Sequence, residues 1–194
     1  MFTVSQRGGG TTVTTQALAS RLRRIPGYPR PGVTFIDITP VLQDGAAYRG
    51  AIEALEREAA PLAFDLVVAP EARGFLFGAP LAVRRGVGFA PVRKAGKLPS
   101  ATVSAPYALE YGEDRVEMHR DALRPGERVL VVDDLLATGG TVGAAIDLVE
   151  ALGGRVAAAL FLVELVELGG RAGRLKDYRV LSVVRTTETD AAAL

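Results

Sequence analysis

The sequence predicts one α/β domain built on a central, mostly parallel sheet with helices on both faces. Three observations predict it. Runs such as Leu66-Val67-Val68-Ala69 and Val129-Leu130-Val131-Val132 are continuously apolar rather than alternating, the pattern of strands covered on both faces. These runs alternate along the chain with stretches of helical periodicity. Finally, 194 residues at 48% hydrophobic content suffice for one well-buried core and are short for two, and the middle of the chain offers no linker.

Each element follows in order. Residues 1–14 are rich in Gly and Thr and read as a disordered leader, so the domain is expected to span 15–185. Ala17 to Arg24 reads as a short basic amphipathic helix ended by Pro26-Gly27, and Tyr28-Pro29-Arg30-Pro31-Gly32 forces an extended, turning segment. Ala46 to Ala60 is predicted helical, with Ile52 and Leu55 forming an apolar stripe among Glu53, Glu56, Arg57 and Glu58. Leu66 to Ala69 is a buried strand, Phe75 to Arg85 a helix and Gly88 to Val92 a second strand. Val129 to Val132 is a third, followed by a helix from Thr141 to Leu152 that Gly153-Gly154 closes. Val156 to Val163 and Tyr178 to Val184 complete the strands, and 186–194 reads as a loose tail. Arg93 to about Asp121 breaks the alternation: it carries Arg93, Lys94 and Lys97, several prolines, and only a weak strand near Val116–Met118. A long aperiodic stretch inside a compact domain is the signature of a lid.

Composition excludes several function classes. A formal net charge of +1 argues against general nucleic-acid binding, which rests on a strongly basic face. Cysteine is absent, so there is no thiolate metal site or cysteine nucleophile, and a single histidine, His119, rules out a multi-histidine zinc site. The start of the chain lacks the apolar core of a signal peptide, and the apolar run from Val156 to Leu168 is short for a membrane span and contains Glu164 and Glu167. The expectation is a soluble, cytoplasmic protein that binds neither nucleic acid nor membrane.

The strongest chemical signal runs from Val129 through Asp133-Asp134 to Ala137-Thr138-Gly139-Gly140-Thr141: a buried strand, two carboxylates, a tight glycine turn and a helix start. In an open α/β sheet, ligands bind just beyond the strand ends. Amides at the helix start, two glycines that permit close approach, and the hydroxyls of Thr138 and Thr141 together suit a phosphate. The carboxylates would repel that phosphate, and vicinal hydroxyls suit them instead. The pattern therefore suggests a ribose 5-phosphate moiety. A βα turn with Asp caps and no ligand carries the same residues, and on pattern alone both readings stay open. Two other nucleotide motifs fail: the dinucleotide fingerprint needs glycine at 138, where Thr stands, and the Gly-Lys-Ser/Thr of a phosphate-binding loop occurs nowhere.

Val131 to Thr141 closely resembles the phosphoribosyl pyrophosphate (PRPP) signature of type I phosphoribosyltransferases. From about Pro31 to Glu167 the chain looks like the adenine-specific members of that family. Supporting segments, in the same order, are Pro31 to Leu42, Glu71-Ala72-Arg73-Gly74-Phe75, Arg93-Lys94-Ala95-Gly96-Lys97-Leu98-Pro99 and Leu109-Glu110-Tyr111-Gly112. The resemblance implies the type I phosphoribosyltransferase fold, with a flexible lid and a small N-terminal hood. It implies a transferase of purine salvage that joins adenine to PRPP, giving AMP and pyrophosphate, with Mg2+ held mainly by PRPP and water, and a homodimer.

The resemblance assigns roles residue by residue. Ala137 to Thr141 would hold the 5′-phosphate, and Asp133 and Asp134 the ribose hydroxyls. Glu71-Ala72-Arg73-Gly74 would form the pyrophosphate loop, with a non-proline cis peptide at Glu71-Ala72. Arg93, Lys94 and Lys97 would add cations for the leaving group. Phe35 would stack on adenine while the backbone at Ile36 reads its edge, and Glu110 would handle the purine proton. Without the resemblance, Phe35 reads as core, Glu110 as an exposed glutamate, and the three cations as a solvated face. This chain differs from the family pattern in Ile36 where Arg is frequent, Ala72 where Ser is common, and Ala95 where a basic residue often stands. A related enzyme for hypoxanthine, guanine or xanthine, and a PRPP-sensing regulator, are the competing expectations. The regulator would need a DNA-binding domain, for which the stretch before Ala17 is too short.

Overall fold

The computed structural model describes residues 13–108 and 113–187. Strands β3 (Leu66–Pro70), β4 (Gly88–Lys94), β7 (Arg128–Leu136), β8 (Arg155–Leu165) and β9 (Val180–Thr186) form the parallel part of a seven-stranded sheet, and β5 (Thr102–Ala108) and β6 (Glu113–His119) add an antiparallel edge. The order is β5-β6-β4-β3-β7-β8-β9, so β3, β7 and β8 are interior and their acceptors and donors are met on both sides.

The unbroken apolar runs have their explanation in the two cores. Successive side chains of a strand point to opposite faces. Val67, Leu130, Val132, Leu160 and Leu162 enter one cluster with Leu55, Phe77 and Leu81. Their neighbours Val68, Val131, Ala159 and Phe161 enter the other, with Val142, Ile146 and Val149. Helices α3 (Gly45–Ala59) and α4 (Arg73–Arg85) therefore cover one face, and α5 (Gly140–Ala151) the other. Asp44 caps α3, its carboxylate accepting from the amides of Ala46 and Ala47 at 2.9 and 3.0 Å. A left-handed Gly86 (φ 65°) ends α4 before β4.

At the N-terminal side the fold differs from the expected helix over Ala17–Arg24. Helix α1 covers only Thr15–Ala19, capped by Thr14 and anchored by buried Leu18. Arg23–Pro26 is instead β1, paired antiparallel with β2 (Thr34–Asp37) in a separate two-stranded hood, and the short helix α2 (Thr39–Gln43) follows. The basic residues that suggest an amphipathic helix have other partners. Arg21 pairs with Asp44 at 2.6 Å and Arg23 with Asp37 at 3.5 Å. Arg24 donates to Thr186 Oγ1 at 2.6 Å and to the Thr187 carbonyl at 3.1 Å. Those last two contacts also carry β9 through Thr186, one residue into the stretch expected to be a loose tail.

The second difference lies in the expected lid. Thr102–Ala108 and Glu113–His119 pair in full register, from Thr102↔His119 to Ala108↔Glu113. Met118 and Val116 are buried, so this hairpin is part of the core rather than an aperiodic loop.

Candidate active site

Burial of Val129 through Val132 locks β7 in register between β3 and β8, and the chain leaves the sheet at Leu136. Helix α5 begins at Gly140, after Gly139 in the left-handed conformation at φ 84°. No side chain among the described residues caps this helix start. Its first amides have no intrahelical acceptor, so they remain available to an anion, and the helix dipole favours one there.

The two carboxylates just before the turn differ in surroundings. Asp134 is 2% exposed, and its Oδ2 lies 2.9 Å from Arg73 Nε without an aligned hydrogen bond from any described donor. Asp133 keeps part of its surface open, and its Oδ1 accepts the Asp134 amide at 2.9 Å. Burial, then the neighbouring Asp134 charge, pushes the Asp133 carboxyl well above the usual carboxylate range. Burial raises Asp134 as well, and the Arg73 guanidinium opposes the rise. Acids held this way gain from hydroxyl donors that stabilise their ionised forms.

Gly74 lets α4 start close against this pair. A Cβ at Gly74 would lie 2.9 Å from Asp133 Oδ1, 3.1 Å from Pro70 Cδ and 3.2 Å from the Val132 carbonyl oxygen. Arg73, the first residue of α4, reaches the other way: its guanidinium carbon sits 5.4 Å from the centroid of the Phe35 ring. Phe35 is half-buried rather than core, and Tyr28 meets it edge-on at 5.3 Å and 80°. The next residue, Ile36, points its side chain inward and is 3% exposed.

These pieces line one cavity of about 560 Å³: Phe35 and Ile36 from the hood, Arg73 from α4, Asp133 and Asp134 from β7, and the whole turn from Ala137 to Thr141. The remaining expected residues among those described stand outside its wall. The peptide bond between Glu71 and Ala72 is cis, at the position the resemblance implies. Glu71 Oε2 accepts from Arg93 Nε at 2.6 Å, and Arg93 Nη1 donates to the Lys97 carbonyl at 3.2 Å. Lys94 Nζ lies 3.4 Å from Asp114 Oδ2, and the Lys97 side chain is exposed. Glu110, with Leu109, Tyr111 and Gly112, lies outside the described residues.

The cavity also has wall residues that sequence reasoning missed. Leu165 ends β8 and Leu168 follows it, while Tyr107 comes from β5 and Gly32 to Thr34 from the hood turn. The signal for Leu165 was available: it ends the strand beside β7, where the strand-end rule that singled out Asp133 applies equally. Tyr107 had no local signal, since only the hairpin pairing brings it there.

The fold has counterparts among known proteins. A family model described as a phosphoribosyl transferase domain matches residues 39–192. The adenine phosphoribosyltransferase of Symbiobacterium thermophilum is 52% identical over 166 residues, covering 86% of this chain and 97% of that protein. The crystal structure of adenine phosphoribosyltransferase from Thermoanaerobacter pseudethanolicus superposes with a TM-score of 0.87 at 53% identity, covering 89% of this chain and 100% of the other. That of the Saccharomyces cerevisiae enzyme, solved with an imino-altritol bisphosphate and adenine, gives 0.82 at 39% identity, covering 87% and 97%. Over nearly the whole domain, then, both sequence and backbone follow these enzymes, and the chain belongs to the phosphoribosyltransferase family, among its adenine phosphoribosyltransferase members.

Proposed function

We propose that this chain transfers the phosphoribosyl group of PRPP to adenine, forming AMP and pyrophosphate in purine salvage. The observation that carries the reading is the convergence, in one cavity, of an aromatic face, a cation, two acids and an uncapped glycine turn. Each matches a different part of the substrates. The amides and hydroxyls from Ala137 to Thr141 take the 5′-phosphate, and Asp133 and Asp134 accept from the ribose hydroxyls. Arg73, helped by the loop from Glu71 to Gly74 and by Arg93, Lys94 and Lys97, offers positive charge to the leaving diphosphate. Phe35 supplies a stacking face for adenine, with Leu165 and Leu168 in the same apolar wall. The Ile36 side chain is turned into the protein, so the base edge meets the main chain of β2 there.

The bond from C1′ to the diphosphate oxygen lengthens first, leaving positive character on the sugar. Adenine N9 attacks from the opposite face, the configuration at C1′ inverts, and Glu110 manages the proton of the purine ring. No protein nucleophile is required, so the rate comes from positioning and from charge stabilisation, each worth several kcal/mol. Mg2+ would be held mainly by the donor's diphosphate and water, where it would supply charge screening for the leaving group. Among the described residues no group of three or more histidine or acidic side chains is placed to hold a metal.

A homodimer fits the surface: Val83 and Leu76 on α4 are 81% and 39% exposed, apolar positions a second copy would cover. No helix among the described residues is long and apolar enough to cross a membrane. The decisive experiment is spectrophotometric: AMP formation from PRPP, Mg2+ and adenine, run beside hypoxanthine, guanine and xanthine. Turnover confined to adenine supports the reading. Turnover confined to another base moves the assignment to that purine, and PRPP binding without turnover favours a sensor.

A further inference from the structure

The turn expected to hold the 5′-phosphate leans on a segment that takes no part in the reaction described above. Gly170, which follows β8, donates its amide to the Ala137 carbonyl at 3.1 Å. It sits so close that a Cβ there would lie 2.3 Å from the Ala137 carbonyl oxygen and 3.0 Å from the Thr138 carbonyl carbon. The same segment backs the next glycine of the turn: the Cβ position of Gly139 is 3.4 Å from both Arg174 Cβ and Leu175 Cγ, and 3.5 Å from the Gly170 carbonyl oxygen. Arg174 also holds the first turns of α5, donating to the Gly143 carbonyl at 3.1 Å and to the Asp147 carboxylate at 2.5 and 2.6 Å. The backbone that presents amides to the phosphate is thus pressed between α5 and residues 170–175.

What holds that segment in place is an ion pair between a buried carboxylate and a half-exposed arginine. Glu164 is 3% exposed and stands level with Leu136 on β7 and Arg185 on β9. Its carboxylate takes a fork from Arg171, Nε to Oε1 at 2.8 Å and Nη2 to Oε2 at 2.5 Å, and the Ser182 hydroxyl donates to Oε2 at 2.7 Å. Arg171 Nη1 then donates to the Val180 carbonyl at 2.6 Å. Arg171 adjoins Gly170 in the chain, so fixing its guanidinium against two strands fixes the residue that touches the turn. Burying even one charge of a pair is a poor way to gain stability, since apolar replacements often do as well. Its planar, two-toothed geometry is a good way to define one position.

We propose that Glu164 and Arg171 are positioning residues for the donor's 5′-phosphate, acting through Gly170 on the turn from Ala137 to Gly140. The inference rests on the reading that this turn holds that phosphate.

The test uses the full chain and four variants: Glu164→Gln, Arg171→Gln, Gly170→Ala and, as control, Arg185→Gln. Arg185 also approaches Glu164, Nε to Oε2 at 3.3 Å, but belongs to β9 and has no such link to the turn. PRPP and ribose 5-phosphate affinities are measured by calorimetry, and KM for each substrate at saturating partner. The first three variants should weaken both phosphates about tenfold and raise the PRPP KM alike, leaving the adenine KM within twofold. Arg185→Gln should match wild type. Gly170→Ala keeps the ion pair intact, so it tests the contact with the turn even if the charge variants fold poorly. Equal weakening of both substrates, unchanged phosphate affinity in the three variants, or an Arg185→Gln effect as large as that of Arg171→Gln would overturn the proposal. Wild-type protein that binds ribose 5-phosphate but makes no AMP would refute the functional reading alone, with the variants still judged on binding. Wild-type protein that binds no ribose 5-phosphate would overturn both.

Discussion

Replacing Asp133 with Asn should separate stability from function in opposite directions. Its carboxyl is pushed up by burial and by the Asp134 charge. With a folded-state pKa above the unfolded one, the native protein binds more protons than the unfolded chain between the ordinary carboxylate value and the raised one. Stability contributed by this group therefore falls as pH climbs through that window. Asn keeps an oxygen to accept the Asp134 amide, now 2.9 Å from Oδ1, and removes the charge. Single stabilising substitutions commonly gain about 0.5–2 kcal/mol. Taking ~1 kcal/mol, a chain of this size should melt roughly 2–4 °C higher near neutral pH. The gain should vanish below about pH 4, where the wild-type carboxyl is protonated in both states. Donor binding should move the other way: losing one charged acceptor costs about 1.5–3 kcal/mol, roughly 10- to 150-fold in Kd. Thermal melts at both pH values and PRPP calorimetry measure the two effects. A variant less stable at neutral pH, or one equally stabilised at both, would refute the electrostatic argument. An unchanged Kd would remove Asp133 from the ribose site.

Other substitutions probe the remaining parts. Gly74→Ala places a methyl against Asp133 Oδ1 and the Val132 carbonyl; overpacking of this kind costs about 1–3 kcal/mol, and denaturant melts together with a weaker PRPP Kd should report it. Phe35→Ala should raise the adenine KM by an amount matching the ~1–3 kcal/mol of a base on an aromatic face, with PRPP affinity within twofold; equal loss for both substrates would argue against stacking. Glu110→Ala should lower kcat by about 100-fold or more, the usual scale of proton transfer by a side chain, while PRPP affinity stays near wild type; steady-state rates with binding titrations decide it.

The parallel sheet was legible because its central strands carry unbroken apolar runs, and that in turn reflects two cores meeting on one strand, Val67 in one and Val68 in the other. The turn after β7 was legible for a similar reason, since carboxylates and glycines directly follow a buried strand. What local pattern could not give was anything set by pairing between distant segments. Arg23 and Arg24 read as one face of a helix until their partners, Asp37 and Thr186, are known. The hairpin of β5 and β6 looked aperiodic because Pro106, charges and a histidine interrupt its alternation, while cross-strand register keeps Val116 and Met118 inside. Gly170 gave no signal at all, for its importance comes from the carbonyl of Ala137 lying against it.

The resting position of Arg73 has a consequence for how the enzyme meets its substrates. With its guanidinium over Phe35 and its Nε beside Asp134, the cation stands at the ring proposed to stack the purine and against an acid proposed to take the sugar hydroxyls. On the proposed reading, a nucleobase arriving alone would meet that cation at its stacking face. The sugar donor would bring both the hydroxyls that relieve Asp134 and the negative charge that draws the arginine off the ring, so the proposed site predicts a queue: donor first, base second.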